Sequence, residues 1–425
     1  MPATSHLAVE ARTRAWLEEQ YARGVASITA RAPGDEVYAP DGRPRRLSRY
    51  HFQELLRKLR IFRWLDGIEF TSFIDVGSGF DVYPERVRER FGVPAFYADM
   101  VHPMNLPYGG TGFGRLDHAV TLNLASLPFR DEAFDVVLAS EVLEHLVRPV
   151  EAIAELLRIT RRALVMTSLE ALSVDRWQRL LSHLRVDVRV PHVERNFLLL
   201  EEIEAIFGPT ARHENLFCDR TLPASVFRPV EWQEAVYGAL ADVPALAAAL
   251  CRAVAEGRHG PGTLGILIVC PKPGVGVRPP RAEDDAARAR WLVERTAAFY
   301  HALAALHRAI ADGRAGFPPR EHPVDPALRD RLRCPDCRRG ALDGDGAGLR
   351  CRECGARFAG EYGVPILPPS RERDADAALA EALDRLCGAD AARRGTVARV
   401  ARRLRRNERP AGAARRALWR LLPAG

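Results

Sequence analysis

The stretch Phe73–Asp81, F-I-D-V-G-S-G-F-D, constrains the fold more than any other part of the chain. A short apolar run, Phe73-Ile74, leads into Asp75. A turn built on Gly77-Ser78-Gly79 follows, and then a helix-like segment, Tyr83–Phe91. Strand, tight turn and helix in that order make a loop that ligands approach closely. Glycine lets the backbone come nearer to a ligand than a side chain would permit. The helix start behind it presents N–H groups with no intrahelical acceptor. Most of the chain before residue 275 reads as scaffold for this turn.

The scaffold is an alternation of strands and helices. Strands are expected at Ser72–Val76, Ala95–Met100, Ala119–Leu124, Phe134–Ser140 and Ala163–Thr167. Apolar runs at His213–Cys218 and Thr263–Cys270 supply two more and close the unit near Pro273. Such alternation predicts an α/β fold, a parallel sheet with helices on both faces. His51–Leu65 is an amphipathic helix with Phe52, Leu55, Leu56, Leu59 and Phe62 on one face. At 425 residues the chain exceeds one ordinary core. The expected division is a helical cap at 1–52, the α/β domain at 53–275, and a linker and helix at 276–328. A cysteine-bearing module at 329–370 and an Arg/Ala-rich tail at 371–425 complete it. The linker is the Pro/Gly stretch Pro271–Pro280, and the helix is Asp284–Ala311.

The apolar content of 47% is that of a globular protein. The net charge is +7, and it is local: Arg371–Gly425 holds 14 arginines against 7 carboxylates. Only two of the 62 basic residues are lysines, Lys58 and Lys272, a bias that fits GC-rich coding better than phosphate binding. The chain opens without a basic segment followed by an apolar core, so no signal peptide is expected. No apolar run of about 18 residues is present, so no membrane span is expected. The eight cysteines do not form a disulfide pattern, and a reducing cytoplasm is the expected compartment.

Asp99 stands at the end of the second strand, 20 positions past Gly79. A carboxylate there accepts both hydroxyls of a ribose. Nicotinamide enzymes use the same logic, but their turn carries a third glycine inside the helix. Here that position is Val82. Asp75 also places a negative charge beside the turn, which repels a pyrophosphate and suits a cationic sulfonium.

With these residues in place, F-I-D-V-G-S-G-F, F-Y-A-D-M and the block Leu122–Leu146 resemble the class I S-adenosylmethionine-dependent methyltransferases of type 11. The resemblance implies a Rossmann-like seven-stranded sheet with flanking helices and S-adenosylmethionine as cofactor. It implies that Asp75, Gly77, Ser78 and Gly79 hold the amino-acid part, and that Asp99 binds the ribose. Met100 would pack beside the adenine, with Asn123 and Leu124 at its edge. Ser140 and Glu141 would line the floor near the methyl group. Asn123 departs from the family's usual Asp, but its amide oxygen still accepts from the adenine amino group. His145 is a candidate general base, with Glu141 beside it, for an acceptor that must lose a proton. Asn105-Leu106-Pro107-Tyr108 looks like an amino-methyltransferase motif, but it follows the second strand instead of the fourth. Acceptor contacts are expected from the N-terminal helices, the insertion Val101–Asp117 and Ser168–Arg220, including His192–Phe197.

Cys334, Cys337, Cys351 and Cys354 give C-x2-C-x13-C-x2-C. Two knuckles presenting four thiolates suit one tetrahedral structural zinc, with no position left open for catalysis. Iron or a redox dithiol is the alternative. Leu332–Leu367 resembles the small zinc ribbons that activate certain tRNA, rRNA and protein methyltransferases as separate subunits. Three readings follow. One is methyl transfer to a small-molecule, glycan or lipid-linked acceptor. Another is transfer to RNA or protein, using the ribbon and basic tail. The third is a scaffold that keeps the fold without catalysis.

Overall fold

The computed structural model describes residues 49–78, 82–100, 118–143, 146, 149–169, 203–216, 243–259, 265–296, 298, 322–346 and 348–367. Gly79, His145, the insertion Val101–Asp117 with Asn105–Tyr108, His192–Phe197, the tail Arg371–Gly425 and nearly all of the N-terminal cap lie outside the described residues.

The sheet is built from β1 (Phe73–Val76), β2 (Ala95–Asp99), β3 (Ala119–Thr121), β4 (Phe134–Ser140), β5 (Thr160–Leu169), β6 (Arg212–Asn215) and β7 (Gly265–Pro271). Its order is β3-β2-β1-β4-β5-β7-β6. The first five strands are parallel, as expected. The last is not: β7 runs antiparallel to both neighbours, so the sheet is mixed. An apolar run such as G-I-L-I-V-C reads the same in either direction, so its orientation could not be read from composition.

Side chains of each strand alternate between two cores. Phe73, Val136, Leu138, Ala163 and Val165 face one. Ile74, Val76, Val137, Ala139, Leu164 and Met166 face the other. The first core is covered by α1 (Arg49–Leu65), α2 (Tyr83–Phe91) and α5 (Val243–His259). The second is covered by α3 (Pro149–Ile159) and α4 (Ile203–Phe207).

α1 departs from a simple amphipathic helix. Leu55, Leu56, Leu59 and Phe62 are buried, but so are Arg57, Lys58, Arg60 and Arg63, the last lying on the apolar face itself, four residues past Leu59. The reason is α6, the helix over 285–296, which lies outside α1 and adds Ala289, Leu292 and Val293 to the same core. The segment between β7 and α6 is pinned as well, since the Arg278 N–H donates to the Gly67 carbonyl at 3.0 Å.

The cysteine module begins at α7 (Pro326–Arg329), capped by Asp325, whose side chain accepts from the Ala327 N–H. β8 (Leu342–Asp345), β9 (Gly348–Cys351) and β10 (Arg357–Phe358) form an antiparallel sheet, and β11 (Gly360–Glu361) pairs with β12 (Val364–Pro365). The module docks on the free edge of the large sheet. Ile366 bridges Thr121 in β3, and Leu332 bridges Phe129. Leu328, Leu332, Leu349, Phe358 and Leu367 belong to the same core cluster as Ile74, Phe96 and Phe134. Covering β3 also removes an open strand edge.

Candidate cofactor site and metal centre

The expected site residues that are described lie at the carboxyl ends of β1 to β4, around the point where strand order reverses between β1 and β4. In open α/β sheets ligands bind there. Asp75 sits within β1 and is 1% exposed. Gly77 opens the turn with φ +77°, and its N–H donates to the Ala98 carbonyl at 2.7 Å. The Ser78 N–H reaches the same carbonyl at 3.2 Å. The turn is therefore stitched to β2, whose last residue is Asp99. Met100 follows, and at 68% exposure it is one of two large apolar side chains exposed among the described residues. The Leu122 N–H donates to the Asp99 carbonyl at 2.9 Å, which brings Asn123 beside the end of β2. Leu124, also expected at the adenine edge, is buried in the second core.

At the end of β4, the Ser140 hydroxyl lies 3.0 Å from the Thr167 hydroxyl. The Glu141 N–H reaches that same hydroxyl at 3.0 Å. Glu141 has φ +55°, a left-handed conformation that a non-glycine residue adopts at a cost. Thr167 holds it there. Thr167 is a residue the sequence reading missed; its only signal was a hydroxyl in an otherwise apolar strand end, level with Ser140 in the sheet register. Val142 was missed too. A Cβ on Gly77 would lie 2.5 Å from Val142 Cγ2, so the loop after β4 closes on the glycine turn. Gly77→Ala is therefore expected to destabilise the fold by about 2–4 kcal/mol, from left-handed strain and overpacking together. A urea midpoint within error of wild type would refute this.

The turn after β3 is fixed by a partly buried ion cluster. Glu155 accepts from the Leu127 N–H at 2.8 Å. Arg158 donates to the carbonyls of Leu127 (3.0 Å) and Phe129 (2.8 Å) and pairs with Glu155 and Asp131. Burial works to raise the Glu155 pKa, but Arg158 and the Leu127 N–H outweigh it and hold the carboxyl below its ordinary value.

A cavity of about 550 Å³ lies at the other end of the sheet, lined by Ile68, Phe70, Phe91, Asp135 and Arg161 among others. It flanks the amino ends of β1 and β4 and is remote from the site above. Burial pushes the Asp135 pKa up, yet hydrogen bonds from Arg161 and Thr71 prevail and hold it low. A carboxylate so fully paired is a structural anchor and no proton carrier.

The four cysteines come together as expected. Their sulfurs all lie within 4.8 Å of one another. Cys334 and Cys354 are 3.6 Å apart, and Cys337 and Cys351 are 3.7 Å apart. A tetrahedron with zinc–sulfur bonds near 2.3 Å has edges of about 3.8 Å, so the set is compatible with zinc. Backbone N–H groups of Gly340 and Glu353 point at the sulfurs of Cys337 and Cys351, each at 3.4 Å, as thiolate knuckles require. A Cβ on Gly340 would lie 2.3 Å from the Cys351 sulfur, so only glycine fits. N–H donors from Arg339 and Gly340 lower the Cys337 pKa to about 7, whereas burial pushes the Cys334 thiol up, so without a cation the four do not all ionise. None of the six cysteines among the described residues forms a disulfide.

Residues 74–163 match the methyltransferase domain family. Solved structures that resemble the chain include a SAM dependent methyltransferase from Archaeoglobus fulgidus, at 16% identity over 52% of this chain and 94% of that one, TM-score 0.33. The Haloferax volcanii complex with the Trm112 methyltransferase activator matches at 15% identity, over 66% of this chain and 98% of that one, TM-score 0.31. Phosphoethanolamine N-methyltransferase 2 from Haemonchus contortus matches at 14% identity, over 51% and 52%, TM-score 0.34. No curated protein matches the chain. The 74–163 match and the strand order together define a class I, Rossmann-like methyltransferase sheet. Over residues 74–163 the chain carries an S-adenosylmethionine-dependent methyltransferase domain.

Proposed function

We propose that the chain transfers a methyl group from S-adenosylmethionine to a small-molecule, glycan or lipid-linked acceptor. The supporting observation is the convergence of Gly77, Asp99, Asn123 and Glu141 at four adjacent strand ends inside the matched segment. When bound, the cofactor supplies a methyl group already activated on a sulfonium. The chain's own work is then to bind, orient and exclude water. In this reading the turn from Gly77 to Gly79, with Asp75, takes the amino-acid part, and the Asp99 carboxylate accepts the ribose hydroxyls. Met100 packs beside the adenine, Asn123 and Leu124 meet its edge, with the Asn123 amide oxygen accepting from the amino group, and Ser140 and Glu141 sit near the methyl carbon. His145 serves as base only where the acceptor must lose a proton.

The ribbon, 329–370, acts as a structural zinc module that supports the methyltransferase domain. Its charge argues against a nucleic-acid groove there. Residues 322–367 hold eight arginines against seven carboxylates. Pairs such as Arg352–Asp343 (2.6 Å) and Arg357–Asp345 (3.3 Å) join them. A phosphate backbone selects a surface of one sign. RNA binding that weakens with salt and disappears on removing 371–425 would reverse that preference.

Calorimetry with S-adenosylmethionine tests the core of the reading; no binding at millimolar cofactor leaves the scaffold reading standing instead. Asp99→Ala is expected to raise Kd roughly 30- to 1,000-fold, since two hydrogen bonds to a charged acceptor are worth about 2–4 kcal/mol. Unchanged affinity sinks the ribose assignment.

A further inference from the structure

We infer that the first cysteine knuckle sets the shape of the turn that carries Asn123, through Arg338 as a positioning residue. The inference rests on the proposed cofactor site. Arg338 directly follows Cys337, and its own N–H donates to the Cys334 carbonyl at 2.8 Å. It holds a left-handed φ of +61°, a conformation the knuckle imposes. From there its guanidinium crosses to the large sheet and donates to the Ser126 hydroxyl at 2.8 Å. Ser126 is buried, and its N–H closes the turn onto the Asn123 carbonyl at 3.2 Å. A charged donor fixed by the metal knuckle is thus one hydrogen bond from the turn that presents Asn123.

The rest of the ribbon edge grips the same turn through its backbone. The Leu367 N–H donates to the Thr121 carbonyl at 2.8 Å before the turn, and the Arg333 N–H to the Pro128 carbonyl at 2.9 Å after it. Leu367 lies past β12, away from the knuckle, whereas Arg333 directly precedes Cys334 and ties the knuckle to the far side of the turn by its backbone. Arg338 is the side-chain link, and its geometry depends on how the cysteines are held. If the sulfurs separate, the φ of Arg338 relaxes and its guanidinium leaves Ser126. Metal occupancy and cofactor affinity are then thermodynamically linked, and each raises the other.

The test uses the full chain, metal-loaded, as wild type, Arg338→Ala, Ser126→Ala and the double variant. Arg352→Ala, a ribbon arginine paired away from the turn with Asp343, serves as control. Metal per chain, amide exchange over residues 121–127 without cofactor, and the Kd for S-adenosylmethionine are measured. Both single variants should keep their metal, exchange faster at Asn123–Ser126 and bind cofactor about tenfold more weakly. The double variant should be no worse than either single one, and chelating the wild-type metal should reproduce the loss. Arg338→Ala with its metal retained and wild-type exchange and Kd overturns the inference. So do additive losses in the double variant. If wild type binds no cofactor, the cofactor reading fails, while the exchange data still decide whether knuckle and turn are coupled.

Discussion

Removing zinc from the four thiolates is expected to unfold the ribbon and lower the melting temperature of the whole chain by about 10 °C. The ribbon is near 40 residues, a size at which a core alone rarely suffices and a metal usually completes the fold. Apparent binding energies for structural zinc run to roughly 10–16 kcal/mol in isolated fingers, so a zinc held by these cysteines would dominate the ribbon's stability. The loss does not stay local, because Leu332, Leu349, Phe358 and Leu367 share one core with Ile74, Phe96 and Phe134 of the large sheet. Each such side chain re-exposed costs about 1.5–3 kcal/mol. Arg331 also lies over the Phe96 and Phe134 rings, at 5.5 and 5.6 Å, and would lift away with the ribbon. For a domain of this size each kcal/mol moves the midpoint by about 2–4 °C, so a net loss of a few kcal/mol gives the stated shift. Scanning calorimetry with and without a strong chelator reads it, and Cys351→Ser should copy the chelated protein. A chelated chain that melts as the loaded one does would show that the ribbon folds without metal.

The strand–turn–helix unit and the four-cysteine cluster were legible in the sequence because each is carried by local spacing. Phe73–Asp81 spells strand, turn and helix within nine residues, and Asp99 falls at the next strand end. The cysteine pairs state their own geometry. What escaped was every relation between distant segments. The direction of β7 depends on how the chain returns after α5, which no periodicity records. Arg60 looks like a solvated position and Arg63 like an interruption of the apolar stripe, because their partners, Glu214 and Asp285, lie more than 150 positions away. The bond from Arg338 to Ser126 spans 212 positions. The turn glycines announce that something must come close, but only the folded chain shows that Val142 is one of those neighbours. For His145 and the acceptor-side segments, the expectation stands on sequence alone.

Asp285→Ala is expected to destabilise the chain by about 3–5 kcal/mol, because it leaves two buried guanidinium groups without their shared carboxylate. Arg63 is 0% exposed and donates from Nε to Asp285 Oδ1 at 2.8 Å. Arg288, also buried, donates to the same oxygen at 2.7 Å and reaches Asp66 at 2.7 Å. For Arg63, the nearby Glu214 cannot take over. Glu214 is 3.9 Å from Arg63 and already faces Arg60 at 3.5 Å. Burial pushes its pKa upward despite Arg60, so it is a reluctant anion. The ions tie α6 to α1 at the same place where Trp291 packs edge-on against Phe62, with ring centroids 5.1 Å apart. Loss of Asp285 therefore should free α6 first, with faster amide exchange over 285–296 and a lower urea midpoint. The compensating change separates charge from packing. Arg63→Met with Asp285→Leu removes one buried cation together with its anion, and a buried pair exchanged for apolar side chains of similar volume is often neutral or better. Arg288 keeps Asp66 in that variant, so the double change should recover most of the stability lost by Asp285→Ala alone. A single-variant loss below about 1 kcal/mol, within the range of an ordinary surface pair, would mean that the cluster is open to water and that α6 is held by its apolar face alone.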